Sequence, residues 1–517
     1  MKKYGLLGLL TILVLSILLV YKDKKDYLTT PPSETWGKEV YLSKGKIKEN
    51  VKIIRFKENY VVAHNDGDNI KVILTDKSGK ALKENYLNIN EFMNYTSLTT
   101  NEKDITLSFV KTDHGENTLV DITLNDNLEE VERNLTKGVN SIQTVDNSIL
   151  ILSYKDKIEI RNKKNSKVLT EKVKNEIITG HKEKDGSYVV CYGQDGKYYS
   201  FKVLEETIID RKEIGAISFG RDGALISIAS NSDENYLYLI IENSFRGGYG
   251  TVSLISYDKS KSTSEVKELE VPGHEFLYNP ISIENSGDKA EFIIGTERPG
   301  MDTSKPQYDF INITLNGSEI LDYKFVTRTI KASEKPGVVG DTMVFGDVED
   351  EDYNIYMTSR EEEFKNLNNK NRPEELNEAL KYGMAAIIRT FVWVPITSAY
   401  WLIPSLIPVG ILSFFLMDGK NEKKRKLLFL FSYLILIILK LKKSYDVAFG
   451  VFNYKIPKVI NNPLILLGVL LTISLICMYI SYKEYEKDTE RIAIGIFILY
   501  AILDTVLSVL VYFPYIL

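Results

Sequence analysis

KEKDGSYVVCYGQDGKYYSFKV, residues 182–203, holds two Asp-Gly pairs, Asp185-Gly186 and Asp195-Gly196, ten residues apart. Asp-Gly between apolar runs is a hairpin signal, because both central positions of the favoured tight turn need positive φ. Between the pairs, SYVVCYG is apolar on both alternating faces. Val189 and Cys191 lie on one, and Tyr188, Val190 and Tyr192 on the other. A strand in a sheet with one wet face would show water a polar side. This one needs cover on both.

Working outward, residues 35–360 alternate short apolar strands with polar turns, and no helical period is sustained. One unit recurs, a strand, a tight polar turn and a second apolar pair. It reads ILTDKSGKAL from Ile73, ITLNDNLEEV from Ile122, IEIRNKKNSKVL from Ile158, YSFKVLEETII from Tyr199, SLISYDKSKSTSEVKEL from Ser253 and INITLNGSEIL from Ile311. A looser copy, NIYMTSREEEF, starts at Asn354, and successive starts differ by 49, 36, 41, 54, 58 and 43 residues. Further strand pairs lie between, such as KIIRF with NYVVAH, DITLSFV with TLVDITL, and ALISIAS with NYLYLII. Periods of this order with several strands per unit predict a β-propeller. Its blades stack face to face, so a strand can be sandwiched between neighbours. Seven blades fit best, with six or eight open, and a pair of β-sandwich domains is the alternative.

On its period and hairpins, the region from 38 to 362 resembles the WD-repeat and quinoprotein-type propellers of bacterial envelope proteins. It has no Trp-Asp signature, Gly-His start or repeated Trp docking motif. The resemblance implies a fold and transfers no functional residue. A closed ring also predicts that KEVYLSKGKI (38–47) pairs with the last blade, around DTMVFGDV (341–348).

The chain's ends have a different composition. MKKYGLLGLLTILVLSILLVYKDKK contains an 18-residue apolar run, Tyr4 to Tyr21, without small residues at a cleavage site, which predicts an uncleaved transmembrane anchor over 1–22. A cleaved signal peptide is the alternative. Residues 363–391 read as a linker and an interfacial helix, starting at Pro373 and carrying Leu376, Leu380, Met384 and Ile387 at helical spacing. Four apolar runs over 392–517 predict a four-helix transmembrane domain. The first, 392–417, contains three prolines and reads as a kinked span. The turn DGKNEKKRK after it has five Lys/Arg in nine residues, which places it and the N-terminus in the cytoplasm and residues 35–362 outside the cell. The 440–458 segment, with five lysines, obeys that rule poorly, so a shallow re-entrant third run is the second topology. The expected class is thus an all-β propeller-like ectodomain plus an α-helical transmembrane domain, in a bacterial cell membrane.

Chemistry is sparse. Net charge is −5, which gives no basic footprint for nucleic acid. Two cysteines, Cys191 and Cys477, read as small buried hydrophobes rather than a disulfide. No G-x-S-x-G, H-E-x-x-H or phosphate-binding loop occurs, so no catalytic residue, cofactor site or metal site is assigned. His64, His114, His181 and His274 read as solvated turn residues. Asp350, Asp352, Asn354 and Glu361, and likewise Asn231, Asp233, Asn235 and Glu242, imitate a calcium loop. Both sets lack the glycine at position 6 and run into strand sequence. FRGGYGT (245–251) reads as a hairpin tip. The sequons at Asn94, Asn134, Asn312 and Asn316 are assigned no glycans.

One pair stands out. Asp504 lies inside ILYAILDTVLSVLV and shares a helix face with Tyr500, Ser508 and Tyr512. Lys440 lies at matching depth on a helix running the same way, so the two are expected to pair inside the membrane. The alternative has Lys440 snorkelling outward and Asp504 neutral. The expected function is a non-enzymatic recognition, scaffold or sensor protein whose partners are the lipid bilayer and an unidentified protein or envelope component. A regulatory or accessory subunit of a membrane transport complex is the alternative, and a propeller hydrolase the weakest reading.

Overall fold

Residues 182–203 form two successive hairpins. Asp195 and Gly196 both take positive φ, 51° and 74°, and close Gln194 onto Lys197. At the first pair only Gly186 does so, at 84°, because that turn is longer and is tied by Glu183 N–H to Ser187 O at 2.8 Å. Val190 packs with Ile151, Ile160 and Phe201, flanked by Tyr188 and Tyr192. Val189 and Cys191 pack the other way, with Leu237, Leu239 and Ile255. Each face of the strand is therefore covered by a different neighbouring sheet.

A computed structural model describes residues 2–89, 93–205, 207–218, 223–245, 248–274, 276–284, 289–299, 306–329, 331–415, 422–451, 456–457, 459–487 and 493–516. Two compact units result, one of Thr30–Lys370, the other of Met1–Thr29 with Asn371–Leu517.

The first unit is a seven-bladed propeller of four-stranded antiparallel sheets. β1 (Val40–Gly45) stands apart in sequence. Blade one is β2 (Lys52–Phe56), β3 (Asn59–Asp66), β4 (Asn69–Thr75) and β5 (Ala81–Leu87). Blade two is β6 (Met93–Thr100), β7 (Ile105–Asp113), β8 (Glu116–Leu124) and β9 (Glu130–Lys137). Blade three is β10 (Ser141–Val145), β11 (Ile149–Ser153), β12 (Ile158–Asn162) and β13 (Lys167–Glu171). Blade four is β14 (Ile177–Lys182), β15 (Tyr188–Gln194), β16 (Lys197–Leu204) and β17 (Thr207–Ala216). Blade five is β18 (Gly223–Ser232), β19 (Tyr236–Phe245), β20 (Gly248–Asp258) and β21 (Thr263–Glu268). Blade six is β22 (Leu277–Ser282), β23 (Ala290–Pro299), β24 (Pro306–Asn316) and β25 (Glu319–Phe325). Blade seven is β26 (Ser333–Val339), β27 (Thr342–Glu349) and β28 (Asp352–Ser359), completed by β1.

The six clear repeats read from sequence are the hairpins between third and fourth strands of blades one to six. The looser copy at Asn354 supplies a third strand only. Helix α2 (Glu362–Asn368) follows it, and β1 takes the vacant outer place. The first strand thus joins the last blade, but its partner is β28, with Val40 opposite Met357 and Gly45 opposite Tyr353, and not residues 341–348. The second and third strands of each blade are buried on both faces, so the outermost strand is the place left for a segment arriving from the other end of the chain. Both ends of the unit meet there: Lys38 N–H bonds Asn369 Oδ1 at 2.9 Å, and Lys38 Nζ bonds Lys370 O at 3.1 Å.

The second unit consists of α1 (Lys2–Thr29), α3 (Pro373–Phe415), α4 (Glu422–Tyr445), α5 (Pro463–Lys487) and α6 (Ala493–Tyr512). The expected interfacial helix and first span are one continuous helix, α3, with Pro395, Pro404 and Pro408 inside it. Among the described residues, three helices, over Pro373–Ile411, Pro463–Glu486 and Ile494–Tyr515, are long and apolar enough to cross a membrane. Continuous helix is the form that satisfies backbone groups where water is absent.

Candidate functional site

The innermost strands β2, β6, β10, β14, β18, β22 and β26 line a central channel of about 760 Å³. Four of them are bulged, at Asn94/Ser97, Leu225/Ser227, Tyr278/Ile281 and Glu334/Gly337. In three bulges a residue other than glycine takes positive φ: Tyr95 at 55°, Asn279 at 49° and Lys335 at 56°. Such a conformation costs roughly 1–2 kcal/mol. Bulges of this kind re-aim side chains at the rim of a sheet.

Hydrogen bonds knit these bulges into a rim. Val51 N–H bonds Lys335 O at 3.0 Å, and a Cβ on Gly337 would lie 1.9 Å from Val51 O, so only glycine fits there. Glu49 Oε2 accepts from Thr96 N–H at 2.8 Å, and Glu242 Oε2 from Asn279 N–H at 2.9 Å and Ser227 Oγ at 2.7 Å. The Asn50 and Asn279 side chains exchange amide bonds of 3.3 and 3.1 Å between blades one and six, reaching past blade seven. Among the described residues, Glu49 Oε1 is buried without a partner. Among the described lining residues, five carboxylates (Glu49, Asp146, Glu242, Glu284, Glu334) face three lysines (Lys52, Lys182, Lys335).

At the other mouth, Lys182 Nζ lies 2.7 Å from Asp146 Oδ2. Burial, with Asp146 close by, pushes the Glu284 carboxyl up to about 7. His181 is 4% exposed, with both ring nitrogens 3.0 Å from hydroxyls, those of Ser230 and Ser232. Burial holds its ring down to about 3.

His181 gives a pH prediction. The folded state binds fewer protons there than the unfolded chain, whose histidine titrates near 6.5, so stability is intact above about pH 6.5 and is lost as pH falls toward 3. Between pH 7 and pH 5 the loss is about 2 kcal/mol. Glu284, and Asp347 likewise raised to about 7 by burial, act in the opposite sense, gaining stability as pH falls. The readout is therefore the difference between the wild type and His181→Asn. Denaturant unfolding should show that difference moving by about 2 kcal/mol against the wild type between those pH values. A difference independent of pH would mean that His181 is not held neutral.

The helical unit holds a second polar centre. Lys440 Nζ lies 2.8 Å from Asp504 Oδ1, with both side chains 0% exposed. The ammonium also bonds Ser508 Oγ at 2.8 Å, Leu470 O at 3.4 Å and Ser474 Oγ. Ser474 Oγ donates to Asp504 Oδ1 at 3.0 Å. Lys440 thus belongs to the helix core and not to the lysine-rich segment after it.

No family model matches the sequence, and no curated protein does. Solved structures resemble it in architecture. The β-propeller domain of the Trilobed protease from Pyrococcus furiosus is similar over 60% of this chain and 95% of its own, at 10% identity and a TM-score of 0.37. The Dos1 propeller is similar over 62% and 94%, at 8% identity and a TM-score of 0.34. A structure from a study of two prolyl endopeptidases matches 67% of this chain at 10% identity and a TM-score of 0.37, but this chain spans only 49% of that one. The fold rests on the strand pairing, and no activity is carried across.

Two histidines correct the sequence reading. His64 and His181 are buried in β3 and β14, because serine hydroxyls and a backbone carbonyl satisfy their rings: Ser43 Oγ lies 2.7 Å from His64 Nε2 and Asn65 O 2.8 Å from its Nδ1. His114 is an exposed turn residue, as expected, and His274 stacks edge-on against Tyr323 and Phe325. The calcium-loop imitations do run into strands β19 and β28. The FRGGYGT stretch joins β19 to β20, its residues 246–247 lying outside the described ones. Residues 416–421, which include the start of the basic turn, also lie outside them. The rim itself was missed. Its one sequence signal is the Pro two residues after Tyr278 and Glu334, which breaks the strand pattern.

Proposed function

We propose that the protein is a membrane-anchored propeller that recognises a protein or envelope component without chemically altering it, the helical unit serving as its tether. The observation that supports this most is the rim. Its carboxylates are held separately by the frame, Glu49 by Thr96, Glu242 by Ser227 and Asn279, and Glu334 by Tyr353. One oxygen of Glu49 has no partner among the described residues. Groups fixed apart in this way suit holding a polar ligand. Cross-linked complexes of the full chain, purified from membranes, should contain a partner that Glu49→Lys loses. Identical recoveries would remove the rim from the reading.

In this reading residues 35–362 face outward and the N-terminus and the basic turn face the cytoplasm, because Lys and Arg resist translocation. Both native cysteines are buried, so background labelling is low. On whole cells, an impermeant thiol reagent should modify Lys155→Cys at least tenfold more than Lys424→Cys, both positions being exposed. The reverse pattern would invert the protein in the membrane. A second reading, an accessory subunit of a transport complex, is favoured by the buried Lys440–Asp504 centre, since ionisable side chains at membrane depth commonly mark transport pathways.

A further inference from the structure

The helical unit contains more buried polarity than one ion pair requires. On α6, Tyr500, Asp504, Ser508 and Tyr512 recur every four residues and share a face. α5 runs antiparallel beside it: Tyr500 OH donates to Glu484 Oε2 at 2.8 Å, while Ser474, ten residues earlier, meets Asp504. α4 runs parallel to α6, with Lys440 at Asp504 and Ser444 Oγ 3.1 Å from Tyr512 OH. Between the Glu484 level and the Lys440 level lie Tyr433, Cys477 and Ser481, all buried. Tyr433 and Ser481 are side by side. Among the described residues, Asp504 Oδ2 has no hydrogen-bond partner.

From Tyr500 to Tyr512 this seam covers twelve residues, about 18 Å of helix. That is more than half of a hydrocarbon core of about 30 Å. A structural lock needs Lys440, Asp504 and the two serines, all engaged through Oδ1. It gives no reason for leaving the second carboxylate oxygen without a partner, nor for the Tyr433 and Ser481 hydroxyls buried between Asp504 and Glu484. A relay does need them, because a proton acceptor must keep a lone pair free.

We propose that this seam conducts protons between its Glu484 end and its Tyr512 end, with Asp504 Oδ2 as the central acceptor. In each transfer an O–H bond breaks in a hydroxyl or water on the Glu484 side and an O–H bond forms at Oδ2. The proton then leaves Oδ2 for a hydroxyl or water on the Ser508–Tyr512 side, which releases its own proton to solution at that end, while the first donor is reprotonated from solution at the Glu484 end. No electrons move. Lys440 fixes Oδ1. The inference rests on the helical unit spanning a bilayer, and it goes beyond the recognition reading.

The test uses the full chain in liposomes holding a trapped pH dye, with the membrane potential clamped by potassium and valinomycin. The wild type should collapse an imposed pH gradient at least tenfold faster than Asp504→Asn or empty liposomes. Tyr500→Phe and Tyr512→Phe, which remove one hydroxyl each and keep the ring, should slow it severalfold, so the result does not depend on Asp504→Asn folding. Flotation with the vesicles reports insertion separately. Protein that does not float overturns the spanning reading and the relay together. Protein that floats but leaks no faster than Asp504→Asn, or whose leak both Phe variants leave unchanged, overturns the relay alone.

Discussion

Asp504→Asn should destabilise the helical unit by roughly 3–5 kcal/mol, and Lys440→Met by a similar amount, while the double variant should recover at least half of the summed loss. The reason lies in how completely the pair is enclosed. Neither side chain has any exposed surface, so removing either partner leaves a charge that water cannot reach. An ammonium has three protons to place, and here they are shared among Asp504, Ser508, Ser474 and the Leu470 carbonyl. With Asp504 gone, the hydrogen bonds to neutral oxygens persist but the charge has no counter-ion. In the double variant methionine fills the volume of lysine, and the two serines still bond the asparagine. Thermal unfolding of all four proteins in one detergent closes the cycle. An interaction energy of about 3 kcal/mol or more is expected, and losses that add within about 0.5 kcal/mol would mean the two residues do not interact.

The pair was legible because it needed only helix arithmetic: equal depth on two helices running the same way. Its serine partners were not. Ser474 comes from a helix running the opposite way, and nothing local sets its rotation against α4. The propeller divides similarly. Hairpins between third and fourth strands carry their own turn residues and so repeat visibly, and the two faces of SYVVCYG match two clusters of different composition. The pairing of β1 with β28 joins positions more than 300 residues apart, so period counting found the blade but not the partner strand. The inner strands were hardest to read. Their bulges replace alternation with single strained residues such as Tyr95 and Lys335, whose side chains follow from backbone geometry rather than pattern. His64 and His181 escaped for a related reason: a histidine followed by Asn-Asp or preceded by Gly in sequence looks wet until the hydroxyls that satisfy it are placed from other strands.

Deleting residues 36–47 should open the ring and shorten the survival of the propeller under protease at least tenfold. The segment does more than fill an edge. Trp36 is 0% exposed and packs with Phe310, Met343 and Phe345. Leu42 and Ile47 join a cluster with Ile53, Ile355, Met357 and Phe364, which links blades seven and one. Burying three such side chains contributes roughly 5–9 kcal/mol, as much as a typical domain's whole stability. Polar ties add to this: Gly37 N–H to Ser359 O at 2.9 Å, Thr358 Oγ1 to Gly37 O at 2.7 Å, and Ser43 to His64 of blade one at 2.7 Å. Because the deletion also shortens the connection to α1, Leu42→Asp serves as a point variant that keeps the chain length. It buries an unpaired carboxylate where a methyl pair packed and should bring a several-fold loss of protease resistance. Leu135→Ala is the control: that side chain is 63% exposed on the outer strand β9, and its loss should change little. If the deletion and Leu42→Asp both leave digestion at the wild-type rate, β1 is an ornament on a ring that the other 27 strands already hold closed. The geometry argues otherwise, since without β1 blade seven presents the β28 edge, with the backbone of Tyr353 to Met357 unpaired, directly to water and to other chains.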